Sequence, residues 1–273
     1  MENKIAIVTG ANSGIGYITA LEIAKTGATV VLVCRNQTKG EQARNRITQL
    51  SKNPSVFLKI ADLSSQKEIR KLAEEIKHDY PVIDILVNNA GVIISDRQMS
   101  VDGIEMTWAT NHLAYFLLTT LLIDQLKAAK SARIVNVASQ ASWLGKIHWG
   151  DINLSQKYDA MQAYSQSKLA NIMFSNALVE KLKGTKIVTN AVHPGAVGTN
   201  FGASMNGFIG WAFKWLGKLM RTPEKGAETS IWLALSSEIE GVTGLYFADK
   251  KKIKAKSSIL SSHRINSLSS ILK

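Results

Sequence analysis

The fold is decided by Thr9-Gly10-Ala11-Asn12-Ser13-Gly14-Ile15-Gly16, a glycine-rich turn that follows an apolar run and precedes a segment with helical apolar spacing. The run at residues 5–8 is typical of a buried strand, and Ile18, Leu21 and Ile23 recur as on one side of a helix. A strand, a glycine-rich turn and a helix in this order form an anion site, because backbone N–H groups and the positive helix end face the ligand. A plain glycine turn is the alternative interpretation.

Each glycine of this turn has its own steric role. Gly10 can make the tight turn, Gly14 lets the backbone approach a pyrophosphate, and Gly16 lets the helix lie close to the sheet. The spacing is GxxxGxG rather than GxGxxG. We expect the turn to contribute these residues to a dinucleotide site: Gly10, Asn12, Ser13, Gly14, Ile15 and Gly16.

Short runs rich in β-branched residues alternate with longer segments of helical period along most of the chain. The predicted strands are residues 5–9, 29–34, 56–60, 83–88, 133–138, 186–192 and 245–248. Continuous apolar runs such as Val30-Val31-Leu32-Val33 suit strands buried on both faces of a parallel sheet. The sequence therefore predicts one doubly wound α/β domain of the Rossmann type, with a seven-stranded, mostly parallel sheet and helices on both faces.

Composition and charge divide the chain into two parts. The 273 residues are 45% hydrophobic and 20% charged, as in a globular protein. Residues 249–273 hold six Lys and one Arg against one Asp, which is half of the net charge of +12. We expect a dinucleotide-binding and catalytic domain at 1–248 and a solvated basic tail at 249–273. Contact of this tail with anionic membranes is an open alternative, and nucleic-acid binding ranks last because the tail lacks interleaved aromatic residues.

The sequence predicts no disulfide, no membrane-targeting segment and no metal site. The single cysteine, Cys34, cannot form an intramolecular disulfide, so a reducing cytoplasm fits. The apolar stretch near the start is too short for a signal peptide or a membrane span, and no N-terminal anchor is expected. No cluster of Cys, His or Glu has the spacing of metal ligands, so no metal site is predicted. We interpret His112 and His193 as structural residues.

A candidate acid–base pair lies at Tyr164 and Lys168, in a segment with helical apolar spacing. Residues four apart on a helix share a face. A free phenol has a pKa of about 10, and a neighbouring ammonium favours the phenolate. Tyr164 can then serve as the general acid in carbonyl reduction and the general base in alcohol oxidation. Without further context, such a pair would more often decorate an exposed helix.

Ser139 gives this pair its context. Ser139 follows the predicted fifth strand, at the carboxyl edge of the sheet where open α/β folds bind ligands, and its hydroxyl can hold a substrate oxygen. Capping of the following turn is the alternative role.

Arg35 follows the second strand, where an NAD-binding domain carries an acidic residue; its planar, permanently charged fork suits a 2′-phosphate. We therefore predict a preference for NADP(H), with Lys39 as a weaker contact and a solvated Arg35 as the alternative.

The motifs, taken together, resemble the short-chain dehydrogenase/reductase family. The turn matches the TGxxxGIG signature of that family, and the resemblance continues through Asp62-Leu63, Asn88-Asn89-Ala90-Gly91 and His193-Pro194-Gly195. The resemblance implies that Asp62 and Leu63 lie at the adenine and that Asn88, Ala90 and Gly91 shape the cofactor groove. It also implies that residues 194–199, including Pro194, Gly195 and Thr199, hold the nicotinamide end. A helix N-cap role for Asp62 and a simple turn at the Asn pair are the alternatives.

The same resemblance completes the catalytic set. It implies that Asn111 holds a water connecting Lys168 to solvent and that Lys168 contacts the nicotinamide ribose, so the expected catalytic residues are Asn111, Ser139, Tyr164 and Lys168. A buried Asn111 satisfied within its helix is the alternative. A long insert between Ser139 and Tyr164 makes the chain look most like the retinol dehydrogenase-like branch.

These observations predict an NADP(H)-dependent oxidoreductase that interconverts an alcohol and an aldehyde or ketone. The expected substrate is lipophilic, of retinoid, steroid or aliphatic type, because residues 201–220 carry enough aromatic surface for a lid over an apolar pocket. A dimer contact or a membrane-surface helix is the alternative for that segment. A cofactor-sensing or scaffold protein without turnover is the alternative function, but all four catalytic groups are present. The exact substrate, the direction of the reaction and the oligomeric state are not encoded in recognisable motifs.

Overall fold

The carboxyl ends of seven parallel strands form one edge of a single sheet in the computed structural model, which describes residues 1–197 and 221–255. The predicted lid at 201–220, Thr199 and residues 256–273 lie outside these ranges. The strands are Ile5–Thr9 (β1), Thr29–Cys34 (β2), Val56–Ile60 (β3), Ile85–Asn88 (β4), Ala132–Val137 (β5), Ile187–Val192 (β6), Tyr246–Ala248 (β7) and Lys251–Ile253 (β8).

The strand order is β3-β2-β1-β4-β5-β6-β7-β8, and only β8 runs antiparallel to its neighbour. The order reverses between β1 and β4, which pair in parallel with Ala6 opposite Ile85. In doubly wound sheets a ligand binds in the crevice at such a reversal. The predicted doubly wound α/β fold is therefore confirmed, and the expected site lies above the ends of β1 and β4.

Helices cover both faces of the sheet. They are Gly14–Ala24 (α1), Gln37–Ser51 (α2), Gln66–Asp79 (α3), Met106–Trp108 (α4), Ala114–Leu121 (α5), Ile123–Lys127 (α6), Ala160–Lys181 (α7) and Pro223–Leu235 (α8). A π-helical segment, Ala109–Leu113, joins α4 to α5, and 3-10 turns occur at Gln140–Trp143 and Ser237–Ile239.

The strands alternate their side chains between two apolar cores. Ala6 and Val8 of β1 face a core with α1 and α8, whereas Ile7 faces a second core with α3, α5 and α7. All three side chains are fully buried. Burial on both faces explains why the strands read as continuous apolar runs rather than as alternating patterns.

The predicted count of seven strands is wrong by one, because the chain turns back on itself after β7. Asp249 and Lys250 both have positive φ, of 50° and 59°, which is the geometry of a two-residue hairpin turn. Lys251–Ile253 then pairs with Tyr246–Ala248. The segment predicted as a basic tail from Asp249 onward therefore begins as part of the sheet.

Candidate active site

The turn after β1 is tight because its glycines occupy space and angles that a side chain would not tolerate. Gly10 has a φ of +66° and Gly14 a φ of +56°, in the left-handed region that favours glycine. The Gly10 N–H donates to the Val33 carbonyl at 2.9 Å. A Cβ on Gly16 would lie 2.5 Å from the Gly10 carbonyl oxygen, so the absence of side chains lets α1 begin directly above the sheet.

Asn89 fastens this turn to the end of β4. Its side-chain Nδ2 donates to the Thr9 carbonyl at 2.8 Å, and its backbone N–H donates to the Thr9 hydroxyl at 2.9 Å. The Ala90 N–H donates to the same hydroxyl at 3.1 Å. Three hydrogen bonds thus fix the glycine turn relative to the Ala90-Gly91 segment beside it.

The N-terminus of α1 fits an anionic group. Ser13 is the N-cap residue, and within the described ranges its hydroxyl forms no capping hydrogen bond to the first turn. That turn also holds no acidic side chain. The first N–H groups and the positive helix end therefore face the cleft, and Gly14 leaves room for a close approach. These features fit the pyrophosphate of a dinucleotide.

The other end of the cleft is lined by residues that follow β2 and β3. Cys34 is the last residue of β2, Arg35 follows it, and the Arg35 side chain is exposed. Burial raises the pKa of the Cys34 thiol to about 11, so this group stays protonated. Asp62 lines the cleft after β3, and its Oδ1 accepts hydrogen bonds from the N–H and hydroxyl of Ser64 at 2.9 and 2.8 Å. Asp62 thus shapes the turn before α3, whose N-cap is the next serine along the chain.

Tyr164 and Ser139 meet at the carboxyl edge of the sheet. Tyr164 lies in the second turn of α7, and a hydrogen bond from the Ser139 side chain opposes the effect of burial, which raises the pKa of the phenol to about 12. Ser139 also caps the 3-10 turn, since its Oγ accepts from the Ala141 N–H at 3.2 Å. The two roles expected for Ser139 are compatible, because an acceptor in the cap keeps its own proton to donate.

Lys168 lies one helical turn after Tyr164 and is almost fully buried. Its Nζ donates to the Val137 carbonyl at 2.9 Å and is 5.7 Å from the centre of the Tyr164 ring. Burial lowers the pKa of this amine to about 7. The charge state of Lys168 near neutral pH therefore depends on the neighbouring groups that stabilise or destabilise the ammonium.

Asn111 occupies the π-helical segment and is fully buried. Its Nδ2 donates to the Val92 carbonyl at 2.9 Å and to the Ser167 hydroxyl at 3.0 Å, and its Oδ1 accepts from the Val92 N–H at 2.7 Å. Its backbone carbonyl accepts from Asn171 Nδ2 at 2.9 Å. The same Asn171 amide lies 3.3 Å from the Val137 carbonyl that holds Lys168. Asn111 is thus joined to Lys168 through Asn171.

Pro194 and Gly195 line the cleft directly after β6. Gly195 has a φ of +87°, and a Cβ there would lie 2.7 Å from the side chain of Arg221. Arg221 forms a two-pronged ion pair with Asp249, and its N–H donates to the Ala196 carbonyl at 2.8 Å. Thr199, predicted at the same end, lies outside the described residues.

Asn88 is the one predicted cofactor-site residue of the described ranges whose side chain does not reach the cleft. It is fully buried beneath it, and its Nδ2 donates to Thr119 Oγ1 and to Asn136 Oδ1 at 2.9 and 2.8 Å. As the last residue of β4, Asn88 points its amide into the protein, and the following Asn89 faces the turn instead. Its contribution to the groove is indirect, through the packing of β4 against β5.

His193, which the sequence predicts to be a structural residue, lines the cleft. Its Nδ1 accepts the N–H of Gln140 at 3.1 Å, and burial lowers the pKa of the ring to about 4, which keeps it neutral. The imidazole therefore joins the segment after β6 to the residue next to Ser139. Its position between the sixth strand and the Pro194-Gly195 pair is the sequence feature that could have indicated a place in the cleft.

Apart from Asn88 and Asn111, whose side chains are fully buried, the predicted site residues of the described ranges surround one cleft of about 580 Å³. Those lining it are Gly10, Asn12, Ser13, Gly14, Ile15, Gly16, Arg35, Asp62, Leu63, Ala90, Gly91, Ser139, Tyr164, Lys168, Pro194 and Gly195. The anion-binding turn and the acid–base pair thus open into the same space.

Comparison with known proteins agrees with this geometry. A family model described as short chain dehydrogenase matches residues 4–208, which is well over half of the chain. The chain belongs to the short-chain dehydrogenase/reductase family. It is 38% identical over 271 residues to retinol dehydrogenase 14 of Mus musculus, covering 92% of this chain and 79% of that protein. It is 42% identical over 252 residues to retinol dehydrogenase 13 of Mus musculus, with coverage of 89% and 75%. The predicted retinol dehydrogenase-like branch is confirmed.

Solved structures share the fold of this chain. An uncharacterized protein from Mycobacterium paratuberculosis superposes with a TM-score of 0.80 at 28% identity, covering 99% of this chain and 93% of that one. A second structure, described as an NAD(P) dependent gluconate 5-dehydrogenase from Beutenbergia cavernae with bound NADP, gives 0.73 at 27% identity, covering 91% and 95%.

The contact at Gly16 generates a test of the phosphate turn. We expect Gly16→Ala to lower the melting temperature by about 3–10 °C, since overpacking costs roughly 1–3 kcal/mol, and to weaken dinucleotide binding because the turn must shift. Thermal melting and fluorescence titration with NADPH measure both effects. Gly150→Ala is the matched control, because a Cβ there meets nothing within 4 Å. Unchanged NADPH binding by Gly16→Ala would show that the turn does not hold the phosphates.

Proposed function

We propose that this protein is an NADP(H)-dependent alcohol dehydrogenase or carbonyl reductase acting on a lipophilic substrate. The observation that carries the proposal is the convergence of Tyr164, Ser139 and Lys168 in the cleft whose other wall is the glycine turn. A non-catalytic sensor or scaffold would not need an acid–base pair at that position. The chemistry of these side chains accounts for the proton, and a bound nicotinamide dinucleotide supplies or accepts the hydride.

Tyr164 is the proposed general acid and base. With a pKa raised to about 12 by burial, the phenol is protonated at neutral pH and can donate to the oxygen of a carbonyl as it is reduced. In alcohol oxidation the same oxygen must accept the proton, so the phenol must first be deprotonated to the phenolate. The ammonium of Lys168, on the same helix face, stabilises that phenolate electrostatically.

Ser139 is the proposed anchor for the substrate oxygen. Its Oγ accepts the Ala141 N–H, which fixes the hydroxyl next to the Tyr164 phenol. Two O–H groups that converge on one point can hold a carbonyl oxygen in a single orientation. Ser139 thereby orients the reacting carbon, while Tyr164 moves the proton.

The proposed preference for NADP(H) rests on Arg35. No carboxylate stands at the end of β2, where Asn36 caps α2 by accepting the Lys39 N–H at 2.9 Å. Arg35 lines the cleft beside Cys34, and its guanidinium offers a planar pair of donors suited to a phosphate. Bound NADP in the Beutenbergia cavernae structure is consistent with this preference.

A lipophilic substrate is supported by the lining near the acid–base pair. Val92, Ile93 and Met161 contribute apolar surface to the cleft. The relatives of the chain are named for retinol, which is a lipophilic alcohol. Apolar side chains beside two hydroxyl groups favour a molecule with one polar end and a long apolar body.

The location of the protein remains part of the proposal. In the part of the chain that the structure describes, we find no helix with the length and apolar character needed to cross a membrane. Trp143, Leu144 and Trp149 of the insert are exposed apolar side chains. A cytoplasmic location, peripheral contact with a membrane and self-association stay predictions.

Tyr164→Phe tests the proton-transfer role. We expect kcat to fall by roughly 10²–10⁴-fold, which is the usual contribution of general acid–base catalysis, while NADPH binding changes little since the ring remains. Lys168→Ala should impair both turnover and binding. Steady-state kinetics on the best substrate of an aldehyde, ketone, retinoid and steroid panel, with fluorescence titration of NADPH, measure these effects. Near-normal kcat in Tyr164→Phe would refute the assignment.

Arg35→Ala tests the choice of cofactor. We expect its KM for NADPH to rise by roughly 10–100-fold, the value of a lost charge-assisted hydrogen-bond pair, with little change for NADH. Arg35→Lys keeps the charge without the planar fork, so its KM for NADPH should lie between those of the unmodified enzyme and Arg35→Ala. Lys39→Ala should raise the KM for NADPH less than Arg35→Ala does. The proposal fails if both cofactors respond equally or if the unmodified enzyme works better with NADH.

The length of the alkyl chain of an aldehyde substrate tests the apolar pocket. From butanal to octanal, kcat/KM should rise by about tenfold or more, because each buried methylene contributes about 0.8 kcal/mol. Met161→Glu should reduce this gain, whereas Val101→Glu, at an exposed position that does not line the cleft, should not. A kcat/KM independent of chain length would contradict a lipophilic substrate.

A further inference from the structure

The Lys168 ammonium lies between two tyrosine rings, of which only Tyr164 belongs to the proposed catalytic pair. Nζ is 5.7 Å over the centre of the Tyr164 ring and also 5.7 Å over the centre of the Tyr115 ring. Both distances are within the range of a cation–π interaction. Lys168 reaches Tyr164 along its own helix and Tyr115 on α5.

Tyr115 is held rigidly in this position. It is 1% exposed, and its hydroxyl donates to the Ala90 carbonyl at 2.8 Å. It lies four residues after Asn111, at the point where the π-helical segment gives way to α5. It does not line the cleft, so it is not placed to touch a substrate or a dinucleotide. Lys168 is the catalytic residue whose charged atom lies over the Tyr115 ring face.

The surroundings of Lys168 offer few other groups that favour a positive charge. Among the described residues, no carboxylate lies within ion-pair distance of Nζ. The titratable groups around it are Tyr115 and Tyr164, with His112 bonded to Asn171 behind them and Tyr246 beyond Tyr164. Burial lowers the pKa of His112 to about 4, so that ring is neutral. The Val137 carbonyl and the two ring faces are the partners that oppose desolvation.

We infer that Tyr115 is a positioning residue that keeps Lys168 charged and beside Tyr164 by presenting its ring face to the ammonium. A ring quadrupole attracts an ammonium but not a neutral amine, and the attraction is strongest in a desolvated site. Since the Lys168 charge stabilises the Tyr164 phenolate, loss of the Tyr115 ring makes deprotonation of Tyr164 harder. The inference rests on the proposed Tyr164–Lys168 chemistry.

The test is the pH profile of alcohol oxidation by the full-length enzyme. Oxidation requires the Tyr164 phenolate, so the rate rises with pH, and the positive charge of bound NADP⁺ brings this rise to lower pH than the pKa of the phenol in the protein without cofactor. We expect Tyr115→Leu to move this rise to higher pH by roughly one unit, with activity near pH 7.5 about tenfold lower and recovering at high pH. Tyr115→Phe keeps the ring and should match the unmodified profile. Tyr115→Met serves as a second ring-free variant should the leucine variant fold poorly.

Phe116→Leu is the matched control, because it also removes an aromatic ring from α5. Phe116 packs on Phe174 at 5.6 Å between ring centres, on the core side. We expect its pH profile to be unchanged, and the NADPH affinity of all variants to stay within about threefold. Melting temperatures report the packing cost separately, so a merely structural role of Tyr115 would lower stability without moving the profile.

The outcomes separate this inference from the function on which it rests. An unchanged profile in both ring-free variants, or a loss of activity that is equal at every pH, would overturn the role of Tyr115 while Tyr164→Phe still abolished turnover. If Tyr164→Phe were active, the acid–base proposal itself would fail. A shift in the ring-free variants alone, with Tyr115→Phe unshifted, is the result that supports the inference.

Discussion

The close approach of the glycine turn to the end of β4 is the contact on which the rest of the site depends. Gly10 and Gly16 lie against Ala90 and Asn89 at distances that leave no room for a Cβ. This contact sets the height of α1 above the sheet and therefore where the positive helix end points. Because β4 also pairs with β5, which leads into Ser139, the same contact fixes the distance between the anion-binding and proton-transfer halves of the cleft.

A network of buried amides and hydroxyls transmits that geometry through the sheet. Asn88 of β4 donates to Asn136 of β5, and Asn136 donates to Ser175 of α7 at 2.9 Å. Asn111 and Asn171 make a second connection between the π-helical segment and α7. Buried polar groups are costly unless paired, so such networks favour one arrangement of the elements over near alternatives. Here the arrangement they favour holds the Tyr164 and Lys168 face of α7 toward the cleft.

The sequence predicted the parts of this protein that depend on local pattern. Strands β1, β2 and β3 were predicted to the residue, because clear apolar runs end at turn residues. The β7–β8 hairpin was missed because Asp249 and Lys250 adopt positive φ without a glycine to signal it. Asn88 and Asn89 are identical neighbours on opposite sides of a strand end, and the residue type alone does not tell which of them faces the cleft. Tyr115 was overlooked since its partner is more than fifty positions away, and only tertiary structure brings them together.

The pairing of Val197 with Arg221 couples the segment after β6 to the hairpin at the β8 edge of the sheet. These two residues pair in a parallel β-bridge, and Arg221 is further fastened to Asp249 of the hairpin. Arg221 also lies against Gly195 of the cleft, where a Cβ would be 2.7 Å from its side chain. Loss of the Asp249 carboxylate would therefore release the Arg221 side chain beside Gly195, so that the shape of the cleft depends on a residue of the hairpin turn.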